Sequence, residues 1–294
     1  MIKIFTFFVA LIISVPALAN NTSQGYADSW QLNLQPAVSP MHSQIYDFHT
    51  MLLWITGAIV VVITGLLAYA AFKFRRRNHV EPETFAHNTL IEVIWTIVPV
   101  VILIIIAIPS FKLLYFEDRI PEHEMTLKIT GYQWYWGYEY MDFDGLEFLA
   151  YPIAEDEIDE AKGQRRLLST DTPVVVPIGT HIQLLITSAD VLHAFALPAA
   201  GVKKDAVPGQ LNETWMRIDE PGTYFGQCSE ICGTGHAYMP IEVIALPKAE
   251  FEAWATAQGG TRKIKNSKTE NADSIENKLE NPKVSEENIA NPGQ

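Results

Sequence analysis

Cys228-Ser229-Glu230-Ile231-Cys232-Gly233-Thr234-Gly235-His236-Ala237-Tyr238-Met239-Pro240 is the stretch on which the reading of this chain turns. It holds both cysteines of the protein, together with a histidine and a methionine. A second histidine, His193, lies 35 residues before the first cysteine. Thiolate, imidazole and thioether are the soft ligands that suit copper held for electron transfer. A mononuclear copper site of that kind needs one Cys, two His and a weakly bound Met; this run has those parts and a further Cys four positions on. Two thiolates can bridge a pair of metal ions. The residues therefore point to a copper site with room for two ions, one nearer His193 and one nearer His236.

Two simpler readings use the same residues. An exported protein with only two cysteines often pairs them in a disulfide. Zinc also suits a closed site of two Cys and two His. Met239 favours copper, because zinc sites rarely use a thioether.

Working outward, the residues from Glu117 onward form short β-type segments. They are Met125–Thr130, Tyr132–Tyr140, Glu147–Tyr151, Val174–Val176, His181–Thr187, Glu213–Ile218, Thr223–Gln227 and Ile241–Ala245. Turn signals at Asp144-Gly145, Pro177-Ile178-Gly179, Pro208-Gly209 and Pro221-Gly222 punctuate them. Many short strands predict a β-sandwich or barrel, with the cysteine run in a loop just after a strand. Lys248–Gln258 reads as a short amphipathic helix carrying Phe251 and Trp254. Beyond it the chain is rich in Asn, Lys and Glu without an aromatic residue, which predicts a disordered tail over 259–294. No Cys-x-x-Cys-His is present, so no covalently attached haem is expected.

Upstream, residues 1–19 read as an export signal: Lys3, an apolar run from Ile4 to Val15, and Ala17-Leu18-Ala19 before the cleavage point. An external segment is expected over 20–48. Met51 to Phe72 is 22 residues without a charge, long enough to cross a bilayer. Ile91 to Phe116 gives a second span, interrupted by Glu92, Pro99 and Lys112. A membrane hairpin over 49–116 follows. Lys73, Arg75, Arg76 and Arg77 lie between the spans, which places that loop in the cytoplasm and both mature ends outside.

Charge sorts by region. Residues 117–260 hold 23 acidic and 9 basic side chains, a net of −14. Such a field speeds encounter with a basic partner, although plain solubility explains many acidic domains. The run Tyr132-Gln133-Trp134-Tyr135-Trp136-Gly137-Tyr138-Glu139-Tyr140, read as one strand, puts Tyr132, Trp134, Trp136, Tyr138 and Tyr140 on one face. Such stripes usually pack a core. Thr89-Leu90-Ile91-Glu92 has the pattern of a helix capping box, and an acid in a first turn also suits the helix dipole.

The cysteine run closely resembles the CuA loop of cytochrome c oxidase subunit II, the membrane-anchored copper subunit of respiratory haem-copper oxidases. The segments GYQWYWGYEY (131–140), ADVLHAFALPAAGVKKDAVPGQLN (189–212) and EVIWTIVPVVILIIIAIPS (92–110) also look like family segments in family order. The resemblance spans about residues 40 to 257. It implies a mainly β, cupredoxin-like Greek-key barrel over 117–258, anchored by the two-helix transmembrane hairpin. It implies a dinuclear copper centre held by His193, Cys228, Cys232, His236, Met239 and the backbone carbonyl of Glu230. The Glu230 side chain would hold magnesium shared with the catalytic subunit, where the hard carboxylate suits that ion. Asp205 resembles a position near the same interface.

Further roles follow from the resemblance. Trp134 would receive the electron from cytochrome c, with Tyr135 and Trp136 structural or at the rim. Glu92 would stand at the cytoplasmic mouth of a proton path. Ser188-Ala189-Asp190 keeps one acid where many relatives have a pair. Asp190, Asp142, Asp144 and Glu147 are then the candidates for partner docking, with the cluster Glu155–Glu160 able to compensate. The implied partners are catalytic subunit I, which carries the haems, subunit III, and cytochrome c as donor; no nucleic acid is implied. The implied place is a bacterial inner membrane, with the copper domain periplasmic.

Two other functions share some features. A membrane-anchored copper chaperone also uses Cys-x3-Cys, but with one span and a thioredoxin-like βα pattern. The corresponding quinol oxidase subunit lacks the copper ligands, and all six matching positions are present here.

Overall fold

The computed structural model describes residues 25–27, 29–75 and 86–263. The export signal, Arg76, Arg77 and the tail beyond Lys263 lie outside the described residues.

Two long helices come first, α1 (Pro40–Lys73) and α2 (Thr89–Asp118). Ser39 caps α1 by accepting the His42 N–H at 2.9 Å, and Pro40 takes the first helical position, where its missing N–H costs nothing. The helix thus starts well before the apolar run at Met51. Its 34 residues span about 51 Å, more than a hydrocarbon core of about 30 Å. The excess is used: Met41 and His42 are buried, His42 Nδ1 bonds the Ala199 carbonyl at 2.8 Å, and Ser39 Oγ donates to the Ala200 carbonyl at 2.7 Å. Exposure takes over along the apolar stretch, as expected of surface built to meet lipid.

At α2 the cap is Asn88, one residue before the expected Thr89. Its side chain accepts from the Ile91 N–H, and the Glu92 carboxylate accepts from the Asn88 N–H at 3.2 Å. Pro99 and Pro109 both lie inside the helix.

The external domain is two facing five-stranded sheets, the cupredoxin-like arrangement. In the first sheet β4 (Glu147–Ala150), β2 (Tyr135–Tyr140), β1 (Met125–Tyr132), β6 (Ile182–Ser188) and β9 (Asn212–Met216) lie side by side. In the second the order is β5 (Val174–Pro177), β11 (Pro240–Leu246), β10 (Gly222–Cys228), β7 (His193–Leu197), β8 (Val202–Ala206). β1 with β6 and β5 with β11 run parallel; the other pairs are antiparallel. Burial alternates strictly along β1 and β6, so Leu127, Ile129, Leu184 and Ile186 fill the space between the sheets against Val243 and Tyr224. Each such aliphatic side chain contributes about 1.5–3 kcal/mol relative to exposure.

The expected strand over Tyr132–Tyr140 is two strands. The chain turns at Gln133-Trp134, where β1 hands over to β2, and Tyr132 pairs with Tyr135. From Trp136 onward the aromatic residues Trp136, Tyr138 and Tyr140 are buried, with Gly137 buried between the first two. Trp134 is off that face. Helix α3 (Lys248–Ala257) closes one end with Phe251 in the core. Beyond it, Thr261–Arg262 forms β12 against β3 (Phe143–Asp144), and Lys263 N–H donates to the Asp142 carbonyl. Order therefore continues a few residues into the segment expected to be a tail.

Candidate metal centre

The soft side chains arrive at one end of the second sheet from three strand ends. His193 opens β7, Cys228 closes β10, and Met239 immediately precedes β11. Cys228 sits opposite Phe195, so the register of β7 and β10 brings His193 to the thiols. The loop between is pinned at both ends: Cys228 N–H donates to the Met239 carbonyl at 3.2 Å and Ser229 N–H to the Ala194 carbonyl at 3.0 Å.

The donor atoms form a chain of close approaches. His193 Nδ1 lies 3.8 Å from Cys228 Sγ, and the two sulfurs lie 3.8 Å apart. Cys232 Sγ is 3.5 Å from His236 Nδ1 and 3.5 Å from Met239 Sδ, while the Glu230 carbonyl is 3.3 Å from Cys228 Sγ. His193 and the Glu230 carbonyl thus lie against Cys228, and His236 and Met239 against Cys232. Both cysteines are free thiols; a disulfide would need the sulfurs at about 2.05 Å. The ligand atoms of His193, Cys228 and Cys232 all lie within 4.8 Å of one another, a spacing that fits a metal.

Burial opposes ionisation of Cys228, but the His193 ring and the backbone around the loop bring its thiol down to about 6. Burial and the neighbouring Cys228 charge push Cys232 up to about 12. Holding one thiolate makes the second costly, and a bridging cation would relieve that repulsion. The donor set therefore fits a soft, multiply charged metal group.

His193 is fully buried, edge-on to Trp136 with ring centroids 5.9 Å apart. Its other nitrogen, Nε2, meets Asp190 Oδ1 at 2.9 Å. Burial works against the charged imidazole, yet Cys228 and Asp190 together raise its pKa. A Cβ on Gly131 would come within 2.9 Å of His193 Cδ2, so only glycine lets the ring lie this close to β1.

The turn between β1 and β2 closes over the loop. The Trp134 indole N–H donates to the Cys232 carbonyl at 3.2 Å, beside the Gln133 side-chain amide at 2.9 Å. Gly235 seats the indole: a Cβ there would fall 2.3 Å from Trp134 Cδ2. Gln133 and Gly235 are contributors that the ligand pattern alone does not reveal. The Gly233-Thr234-Gly235 spacing between Cys232 and His236 was the available signal.

The acidic candidates separate. Asp142 is not a surface residue: it is buried, and its carboxylate accepts the Thr126 N–H at 2.6 Å. Asp190 keeps some exposure, but its carboxylate accepts the Gln133 N–H at 2.7 Å and faces His193. Asp144 and Glu147 are exposed but lie toward the far end of the β1–β2 hairpin, Glu147 opposite Glu139, on the order of 15–20 Å from Trp134 at about 3.3 Å per residue. The run Glu155–Glu160 follows Tyr151, whose ring lies 4.5 Å from Tyr135 beside Trp134. Gln227 fastens this loop to β10 through the Leu167 carbonyl. Glu230 is half-buried, and its carboxylate has no partner among the described residues. Asp205 is exposed on β8, opposite Ala194. Glu92 lies far off, in the first turn of α2.

Residues 125–246 match the family model for the cytochrome c oxidase subunit II periplasmic domain, and residues 27–113 match that for its transmembrane domain. The chain is 46% identical over 233 residues to a probable cytochrome c oxidase subunit 2 of Rickettsia prowazekii, covering 79% of this chain and 74% of the relative. A counterpart from Rickettsia bellii is 42% identical, covering 86% and 94%. The maize cytochrome c oxidase subunit 2 is 45% identical, covering 79% and 91%. Among solved structures, the periplasmic domain of subunit II (CoxB) from Bradyrhizobium japonicum is 45% identical, covering 48% of this chain and 97% of that one, with a TM-score of 0.43.

Proposed function

The chain belongs to the cytochrome c oxidase subunit II family, and we propose that its external domain receives electrons from cytochrome c at a dinuclear copper centre, CuA, and passes them to the catalytic subunit. As a subunit of this haem-copper oxidase it takes part in oxygen reduction; the haem chemistry belongs to its partner. The observation that carries the proposal is the convergence of two free thiols, two imidazoles, a thioether and a carbonyl within 3.3–3.8 Å steps.

His193, Cys228, Cys232, His236, Met239 and the Glu230 carbonyl would hold the copper pair, which supplies a site for one electron at a time. The protein's work is to hold those donors still and keep water out. Burial of both cysteines, His193 and Met239 supports both tasks. Trp134 is the electron port, because it keeps some exposure and its indole is one hydrogen bond from the Cys232 carbonyl. Glu230 and its unpaired carboxylate would take magnesium at the boundary with the catalytic subunit, and the exposed Ile231 beside it (73%) would be covered there. Glu92 would serve proton uptake while also capping α2.

Docking of a basic cytochrome would fall to Glu155–Glu160, on the loop that follows Tyr151, rather than to the buried Asp142. Subunit I, and subunit III with it, would meet the two apolar helices. The arrangement is that of a bacterial inner membrane with the copper domain and both mature ends in the periplasm, which the basic cluster from Lys73 to Arg77 supports. Rapid mixing of the purified oxidase complex with reduced cytochrome c tests the order of events. The copper absorption should change before the haem absorption does; haem reduction first would refute the proposal.

A further inference from the structure

We propose that Asp190 is the positioning residue of the metal centre: locked onto the turn that carries Trp134, it fixes the His193 ring with Nδ1 toward the thiols. The inference rests on the copper reading above and deepens it.

The ring of His193 has two nitrogens and two neighbours. Nδ1 faces Cys228 Sγ at 3.8 Å and Nε2 faces Asp190 Oδ1 at 2.9 Å. An ionised carboxylate can only accept, so Nε2 carries the ring hydrogen and Nδ1 keeps the lone pair a metal needs. Asp190 cannot easily swing away. Its Oδ2 accepts the Gln133 N–H at 2.7 Å and its Oδ1 the Val191 N–H at 2.6 Å. The Gln133 side chain in turn donates to the Cys232 carbonyl at 2.9 Å. His193, Asp190, Gln133 and Cys232 thus form one hydrogen-bonded path from one ligand to another. The path runs through the β1–β2 turn of the opposite sheet, so the electron port and the ligands are held as one body. With the Ser188 hydroxyl also reaching its Oδ1 at 3.4 Å, the carboxylate faces four donors, so its partly exposed charge is held in place against His193.

Two neutral variants separate these roles. Asp190→Asn and Asp190→Ala remove the same charge, but only Asn keeps an acceptor oxygen. In the assembled oxidase, Asp190→Ala should lose copper to a chelator about 10- to 100-fold more readily, with Asp190→Asn in between. Equal copper retention in wild type and both variants would overturn the inference, as would a shared change confined to the salt dependence of reduction. A second readout needs no metal. In the metal-free full chain with isotope-labelled histidine, at a pH high enough for the ring to carry one proton, the His193 signal, assigned by its loss in His193→Gln, should show a hydrogen-bonded proton on Nε2. A proton on Nδ1 instead would refute the assignment, even in a chain that binds two coppers when loaded. A chain that shows the Nε2 proton yet takes up no copper would refute the copper reading and leave this hydrogen bond standing.

Discussion

The indole of Trp134 touches the centre through a single N–H, donated to the Cys232 carbonyl, so one substitution removes that contact while leaving an aromatic ring in place. Trp134→Phe should leave copper content and the salt dependence of docking unchanged while sharply slowing reduction of the copper by cytochrome c. Stopped-flow reduction across ionic strength checks this, and a wild-type rate would reduce the indole to packing. Gly235→Ala attacks the same contact from below. Its Cβ would lie 2.3 Å from the indole, so the ring must shift, at about 1–3 kcal/mol of overpacking. The expected outcome is a lower melting temperature by calorimetry together with slow electron uptake. The candidate donors that the structure brings together were legible in the sequence because their chemistry is rare and their spacing tight. Which acid turns inward was not. Asp142 and Asp190 look like any surface carboxylate in one dimension; only the pairing of β1 with β2 brings Thr126 to the first, and the pairing of β1 with β6 and the fold of the turn bring Gln133 and His193 to the second.

Among the elements, the strands read from the sequence were those with alternating or β-branched character, and the losses have physical causes. His193-Ala194-Phe195-Ala196-Leu197 is buried at every position, so β7 lacks the period of two that marks a half-exposed strand. Its partner β8 is Val202-Lys203-Lys204-Asp205-Ala206, which reads as a polar connection until it is paired. The aromatic run concealed a turn because Gln133 and Trp134 are not turn-forming residue types; hydrogen bonds to Asp190 and Cys232 hold the bend instead. The membrane helices were legible from their apolar length, whereas the start of α1 depended on the Ser39-Pro40 cap and on docking to the Pro198–Ala200 turn. Glu92 has a measurable consequence here. Its carboxylate accepts the Asn88 N–H, and a Gln oxygen can do the same, so Glu92→Gln should cost less than about 1 kcal/mol. If Glu92 also takes up protons, turnover normalised to haem should fall while copper and assembly stay normal. Unchanged turnover would leave it a helix cap alone.

For the whole molecule, the acidic excess was plain from composition, and its address was not. Neutralising Glu155, Asp156 and Glu157 to their amides should weaken docking of a basic cytochrome and flatten its dependence on salt, since screening has less attraction left to remove. Asp142→Ala should instead lower thermal stability, through loss of its bond to Thr126, and leave the salt slope as it was. An identical slope in both variants and wild type would place docking elsewhere on the surface. The central claim is that two sheets, a loop and a turn hold six donors around a pair of copper ions. Metal analysis with electron paramagnetic resonance on the purified, copper-loaded full chain tests it most directly. The account predicts two coppers per chain, with the unpaired electron of the oxidised form shared between both nuclei. A single copper, zinc, or a Cys228–Cys232 disulfide in the loaded protein would contradict it.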